Sequence, residues 1–376
     1  MSTLQVVSTT GTYRYHFVSF YRHNLVQYDG PSAGHFLPRE SAESRARVSP
    51  PLPPTRVPSC VCMQSSSLPS KSLNITSRDI PAAGLPSNWW FTIRAAHCNP
   101  RNTLKYEQDD VRVAIQLALR HRLDHGAGLF VDVGSNCGLY SLIMASLGHR
   151  CVAADPLPTC VQDTRGSAAD NDFQPTRLAV FHSGVSNAYF TFRVPTHMCS
   201  PYFKVGSTSE VRRHVGSWSV TDHATTTHAR AAPLTEVLRW ASEDGSDIMM
   251  LKIDTEGHEV RVLASAIPLF KRGAINVVLW ELTPSKWAQA NVSRAFGLET
   301  FGSIFSQRHY YSFFSGRASF CDHHKEVAAC QHVGSTSFTL PRGAVYIPDV
   351  GELADAMLAT KWEPAENIFS MRVKHA

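Results

Sequence analysis

Residues 130–156 read FVDVGSNCGLYSLIMASLGHRCVAADP. An apolar run leads into a glycine-punctuated turn, a stretch of helix length follows, and a second apolar run ends on Asp155. That order is a strand, a helix and a second strand, the layout of half a nucleotide-binding sheet. A dinucleotide fingerprint would need G-x-G-x-x-G at the first turn, the middle glycine admitting a pyrophosphate. Here the turn is Gly134-Ser135-Asn136-Cys137-Gly138, with Asn136 in the middle place and the last glycine displaced. What remains is Asp132, Gly134, Asn136 and Gly138 at alternate positions, then an acid closing the second strand.

This set suits a ligand with one ribose and no pyrophosphate. Glycine lets a ligand lie close against the turn, Asp155 can accept both ribose hydroxyls, and Asp132 can hold a cationic amino group. S-adenosylmethionine has these parts: an adenosine, a sulfonium and an amino-acid tail.

Outward from this unit, short apolar strands alternate with helices. Strands are predicted at 129–133, 150–154, 177–182, 248–253, 276–281, 309–314 and 343–347. Helices are predicted at 138–147, 158–169, 233–242, 258–272 and 292–304. The expectation is an α/β fold: a mostly parallel, seven-stranded sheet with helices on both faces. Ahead of it, Val111, Ile115, Ala118, Leu119 and Leu123 recur at helical spacing. The segment 183–232 breaks the rhythm: AYFTFRV alternates like an edge strand, then Ser, Thr and His dominate. It reads as an insertion over the mouth of the site.

The first 85 residues differ from the rest. SPPLPPTRVPSC and CMQSSSLPSKS are rich in Pro and Ser and carry no apolar period. Such chain buries too little apolar surface to offset its ordering entropy. Residues 1–85 are therefore expected to be a disordered tail or a targeting leader, with the folded domain at 86–376. Residues 1–28, with Arg14, Arg22, many hydroxyls and no acid, suit an organellar transit segment. They lack the apolar core of a secretory signal. A cytoplasmic or organellar location is expected.

The 376 residues carry a net charge of +5 and are 43% apolar and 18% charged, ordinary values for a globular protein. Without a Lys/Arg stripe and interleaved aromatics, nucleic acid is not an expected partner. No apolar run approaches the roughly 18 residues of a spanning helix. The nine cysteines do not follow the spacing of a small disulfide framework, and Cys137, Cys151 and Cys160 read as small buried apolar residues.

A second stretch, IMMLKIDTEGHEVRVLASAIPLF, carries Lys252, Asp254, Glu256, Gly257 and Glu259 at the end of a buried strand. The inner face of the following helix is expected to be Val260, Leu263, Ala264 and Ile267. Charges on a buried strand are costly unless paired, and the carboxyl ends of strands are where open α/β sheets bind ligands. NVVLWEL then places Glu281 near the end of the neighbouring strand.

Together DVGSNCG, ADP, KIDTEGHE and WEL resemble the FkbM-type family of S-adenosylmethionine-dependent methyltransferases, over about residues 105–290. The resemblance implies a class I methyltransferase fold and O-methylation of a sugar or other small hydroxylated acceptor. It implies that Asp132, Gly134, Ser135, Asn136, Gly138 and Asp155 hold the cofactor. Such proteins usually carry a small residue and Asp after the third strand, beside the adenine; this chain reads VFHSG, which leaves His182 and Ser183 as its adenine neighbours.

Methyl transfer to oxygen needs alignment and a group to take the hydroxyl proton. Asp254, Glu256 and His258 are the candidates, His258 by virtue of its ordinary pKa range. Lys252 reads as a partner of Asp254 or Glu281 that can also steady alkoxide charge. Magnesium on these carboxylates and ordinary structural roles both remain open, and no metal is assigned. Cys321, His323, His324, Cys330 and His332 are ligand types, but at a spacing unusual for zinc. A Cys321–Cys330 disulfide and a solvated loop are the alternatives there. A non-catalytic S-adenosylmethionine-binding or scaffold protein of the same fold is the second functional reading; a nicotinamide-dependent oxidoreductase is disfavoured by the turn.

Overall fold

The computed structural model describes residues 4–8, 11–15, 72–196, 199, 226–288, 290–305, 310–314, 323, 345–347, 349–362 and 366–372. Two short strands, β1 (Leu4–Ser8) and β2 (Gly11–Tyr15), form an antiparallel hairpin. The rest of the expected leader up to residue 71 lies outside the described residues.

Within the stretch expected to be leader, β3 (Ser72–Thr76) pairs antiparallel with β4 (Trp90–Arg94). Ile75, Phe91 and Ile93 alternate into the core with at most 1% exposure, so this hairpin has a buried face of its own. The Pro- and Ser-rich composition masked that alternation. α1 (Pro100–Tyr106) and α2 (Gln108–His125) follow. Val111, Ile115 and Ala118 of α2 are buried as expected, whereas Leu123 is 70% exposed.

The main sheet is built from β5 (Leu129–Val133), β6 (Arg150–Asp155), β7 (Leu178–His182), β11 (Ile248–Ile253), β12 (Ile275–Leu282), β13 (Tyr310–Phe314), β14 (Val345–Ile347) and β15 (Glu366–Arg372). Its order is β14-β13-β15-β12-β11-β5-β6-β7. The five strands from β12 to β7 run parallel; β15 enters antiparallel between β12 and β13, and β14 runs antiparallel to β13. The sheet thus has eight strands, where seven were expected. The unforeseen strand, ENIFSMR, interleaves polar residues among its apolar ones, which hides it from a search for apolar runs.

Period-two alternation distributes the strands' side chains to two cores. Val131, Val133, Leu251, Ile253, Val278 and Trp280 pack on one face. Phe130, Ala153, Met250, Leu279 and Phe369 pack on the other. The connecting helices are α3 (Leu139–Ser146), α4 (Pro158–Asp170), α5 (Leu234–Trp240), α6 (Glu259–Lys271), α7 (Arg294–Phe305) and α8 (Val350–Ala359). On α6 the buried face is rotated from the expected one: Val260 and Leu263 are buried, but Val262, Ala266 and Leu269 join them. Ala264 and Ile267 are only half-buried.

The expected insertion forms a separate three-stranded sheet, ordered β8 (Gly184–Val185), β10 (Thr226–Ala232), β9 (Phe190–Pro195). The alternating AYFTFRV stretch is therefore a strand of this small sheet and does not edge the main one. Its core is a satellite cluster of Leu157, Cys160, Phe192, Val194, Cys199, Ala229 and Ala231. No helix among the described residues is long and apolar enough to cross a membrane.

Candidate active site

Register brings the two motif turns to one edge. Asp132 pairs with Lys252 and Val133 with Ile253 across β5 and β11. On the other side Val133 pairs with Ala154, and Asp155 with His182. The glycine turn and the acid-rich turn touch directly: the Asp254 N–H donates to the Val133 carbonyl at 2.9 Å. A Cβ on Gly134 would overlap the Asp254 carbonyl oxygen and stand 2.8 Å from its carbon, and Gly134 has φ of +78°. The glycine is thus required first by the crossing of two protein turns, and only beyond that by any ligand.

A cavity opens above this crossing. Gly134, Asn136 and Asp155 line it together with Asp254, Glu256 and His258, and its remaining wall is largely apolar: Leu157, Val185, Phe190, Phe192 and Ala231. Ser183 also lines it. The Asp155 carboxyl is 5% exposed and accepts the N–H of Asn136 and of Leu157, each at 2.8 Å on a different oxygen. Burial pushes its pKa up to about 7. Each oxygen retains capacity for a further donor.

Four of the expected cofactor residues stand off the cavity wall. Asp132 is buried beneath the turn, where it accepts the Ser141 hydroxyl at 2.6 Å. Its other oxygen has no hydrogen-bond partner, and burial raises its pKa. Ser135 is buried with an unpartnered hydroxyl. Gly138 is the left-handed N-cap of α3, packed so tightly on Thr164 that a Cβ would stand 2.5 Å from its methyl. The His182 ring bonds the Pro156 carbonyl at 2.8 Å, and burial lowers its pKa. Motif position alone does not distinguish a residue that faces the ligand from one that shapes the turn.

The acid-rich turn is held from within. Glu259, 1% exposed, accepts the N–H groups of Thr255 and Gly257 on one oxygen and the Thr283 hydroxyl on the other. It is the clasp of the turn. Burial pushes the Lys252 ammonium toward lower pKa, but the carboxylates of Asp254, Asp132 and Glu107 outweigh that and hold it raised. Its Nζ bonds Asp254 at 3.0 Å and sits 4.9 Å above the Tyr140 ring, whose hydroxyl donates to Glu107 at 3.0 Å. Lys252 thus holds the Asp254 carboxylate and does not line the cavity.

Sequence reading missed Lys286, on the 3-10 turn Pro284–Lys286 after β12, which ion-pairs with Glu256 and lies 3.8 Å from Glu281. Glu281 is pushed well up by burial and neighbouring carboxylates, and its Oε2 has no hydrogen-bond partner. Nothing local flags Lys286; it is found only once β12 is placed beside β11. Among the described residues no group of His, Cys, Asp and Glu side chains is arranged to hold a metal ion. The His- and Cys-bearing stretch 321–332 lies outside the described residues except for His323.

Cys160 was expected to be a plain buried apolar residue, but it is disulfide-bonded to Cys199. Cys137 and Cys151 are buried free thiols, as expected.

A doubly wound α/β sheet with an acid-flanked cavity at its carboxyl edge is the architecture in which nucleoside ligands bind at a topological switch point. The FkbM methyltransferase domain profile matches residues 132–319, and the chain belongs to that family. It is a methyltransferase, and its cofactor is S-adenosylmethionine. No curated protein matches the chain. Solved structures similar to it include the METTL16 MTase domain, at 11% identity over 75% of this chain and 73% of that one, TM-score 0.34. Another is the plantazolicin methyltransferase BpumL in complex with SAH, at 7% identity over 73% and 89%, TM-score 0.32. A third is the precorrin-6y C5,15-methyltransferase from Geobacter metallireducens, at 10% identity over 70% and 89%, TM-score 0.30.

Proposed function

We propose that the chain methylates a hydroxyl group on a small, uncharged acceptor such as a sugar, and that His258 takes the hydroxyl proton. The observation that carries this reading is that Asp254, Glu256 and His258 share one cavity with Gly134, Asn136 and Asp155. The residues present fit the cofactor. Asp155 can accept the ribose hydroxyls, Leu157, Ser183 and the Phe190–Phe192 wall suit an adenine, and Asp254 offers negative charge for the cationic end. When bound, S-adenosylmethionine supplies an electrophilic methyl group on a sulfonium.

The chain's own part is alignment and proton removal. Asp254, fixed by Lys252, orients the acceptor hydroxyl. Glu256 is held away from that hydroxyl by its ion pair with Lys286. His258, the N-cap residue of α6 on the cavity wall, accepts the proton as the C–O bond forms. Carboxylates on the wall disfavour an anionic acceptor, which is why a neutral hydroxyl compound is the substrate class.

The test is methyl transfer to a panel of sugars and small alcohols, with His258→Ala beside the native chain. Loss of a general base lowers kcat by on the order of 10²–10⁴-fold while S-adenosylhomocysteine affinity holds. A His258→Ala variant with native kcat removes the base assignment. Cofactor binding without transfer to any acceptor, anionic ones included, favours a non-catalytic binding role.

A further inference from the structure

We propose that the Cys160–Cys199 disulfide is a redox control on cofactor affinity: intact, it holds the cavity wall formed by β9 against the glycine turn, and its reduction loosens that wall. This rests on the reading of the cavity as the S-adenosylmethionine site.

The bond joins residues 39 apart in sequence and three parts of the site. Cys160 lies in the first turn of α4 and itself lines the cavity. Cys199 follows β9, whose Phe190 and Phe192 form the aromatic wall. Both sulfurs lie against Asn136, the Cys199 sulfur 2.8 Å and the Cys160 sulfur 3.9 Å from its side-chain oxygen. Asn136 is the turn residue whose N–H fixes Asp155, and it holds a left-handed φ of +51°, which asparagine adopts more readily than most residues. The disulfide therefore ties the aromatic wall, the helix and the turn that presents the ribose acid.

β8 and β10 of the small sheet also reach the main core, through Val185 and Ala232, whereas the buried residues of β9 pack in a satellite cluster of seven, two of which are the bonded cysteines. Among the described residues β9 pairs with β10 and not with the main sheet. With the bond cut, the wall keeps its own pairing but loses its covalent tie to α4. The binding-competent arrangement is then one of several, and apparent affinity falls by the fraction populated.

The chemistry balances with an external thiol reductant. A dithiol's thiolate attacks one sulfur and the Cys160–Cys199 bond breaks. The reductant's second thiol closes its own disulfide, and two protons end on Cys160 and Cys199.

The experiment is calorimetric titration of the full chain with S-adenosylhomocysteine, before and after dithiothreitol and again after reoxidation. Mass spectrometry of alkylated peptides reports the state of the bond. The expected result is a Kd weakened roughly tenfold on reduction and restored on reoxidation. Cys199→Ser should sit at the weak value and ignore dithiothreitol, while Cys98→Ser responds like the native chain. If Cys199→Ser fails to fold, the reduction and reoxidation cycle on the native chain still decides. Equal Kd values in the two verified states overturn the proposal, as does a bond that does not form under oxidising conditions. Absence of binding in both states overturns the cofactor site itself, a separable failure.

Discussion

Replacing Gly134 by alanine tests the crossing of the two turns, on which the site depends. Two penalties combine there, and other glycines in the chain separate them. Gly302, within α7, has no atom within 4 Å of where an added methyl would stand and no left-handed φ. Gly302→Ala should stabilise the chain by about 0.5–1 kcal/mol through helix propensity. Gly126 has φ of +80° with nothing within 4 Å. Its ψ of −153° lies in a region open essentially to glycine alone, so Gly126→Ala isolates a backbone penalty of about 1–3 kcal/mol less the unfolded-state gain, or about 1–2 kcal/mol net. Gly134 shares the positive φ, at +78°, but its Cβ would meet backbone that cannot rotate aside.

Relief at Gly134 requires the turns to part, which sacrifices the 2.9 Å hydrogen bond from Asp254 N–H to Val133. A buried hydrogen bond left unmade costs about 1–3 kcal/mol. Added to a conformational term of about 1–2 kcal/mol, this makes Gly134→Ala lose about 2–5 kcal/mol and most of its S-adenosylhomocysteine binding. Urea unfolding of the three variants, extrapolated linearly, gives the series directly. If Gly134→Ala falls within about 0.5 kcal/mol of Gly126→Ala, the turns do not cross as described and the shared site fails with them.

Two further outcomes concern pH. His149 is fully buried, accepts the Gly128 N–H at 3.0 Å, and is pushed down to about 4 by burial. Its contribution is present above the unfolded value near 6.5 and lost as pH falls through 4, up to about 3 kcal/mol. Stability measured by urea between pH 4 and 7 should show that slope, and His149→Asn should lack it; equal slopes refute it. Asp155, raised to about 7, accepts ribose hydroxyls best when ionised, so S-adenosylhomocysteine should bind more tightly as pH rises through 7. A Kd independent of pH in the native chain, or the same dependence in Asp155→Asn, would sink that role.

Much of the parallel half of the fold was legible because each of its strands is a continuous apolar run bounded by a turn signal. FVDV, CVAAD, IMMLKI and INVVLWEL are buried on both faces, and composition alone marks them. The antiparallel additions were not legible for the same reason. β15 places Glu366 and Asn367 opposite Leu282 and Glu281, so its pattern mixes polar with apolar residues. β3 is a five-residue strand next to Pro- and Ser-rich chain. Pairing partners distant in sequence decide such strands, and local composition does not carry them.

The site was legible at the level of turns and less so at the level of atoms. A motif fixes which loop a residue occupies, while the direction of its side chain depends on what the opposing loop already fills. Asp132 illustrates this: its strand position is that of a ligand acid, yet Ser141 and the Lys252 layer hold it beneath the floor. The consequence is electrostatic. Burial raises the carboxyls of Asp132, Asp155, Glu256 and Glu281 at one sheet edge, where Lys252 and Lys286 are the ammonium groups paired with neighbouring acids. An edge built this way carries more acid than its lysines neutralise, so a cation entering the cavity meets groups whose ionisation it favours. A sulfonium nucleoside supplies that charge and a neutral nucleoside does not, so an acid-rich edge of this kind suits a cationic methyl donor.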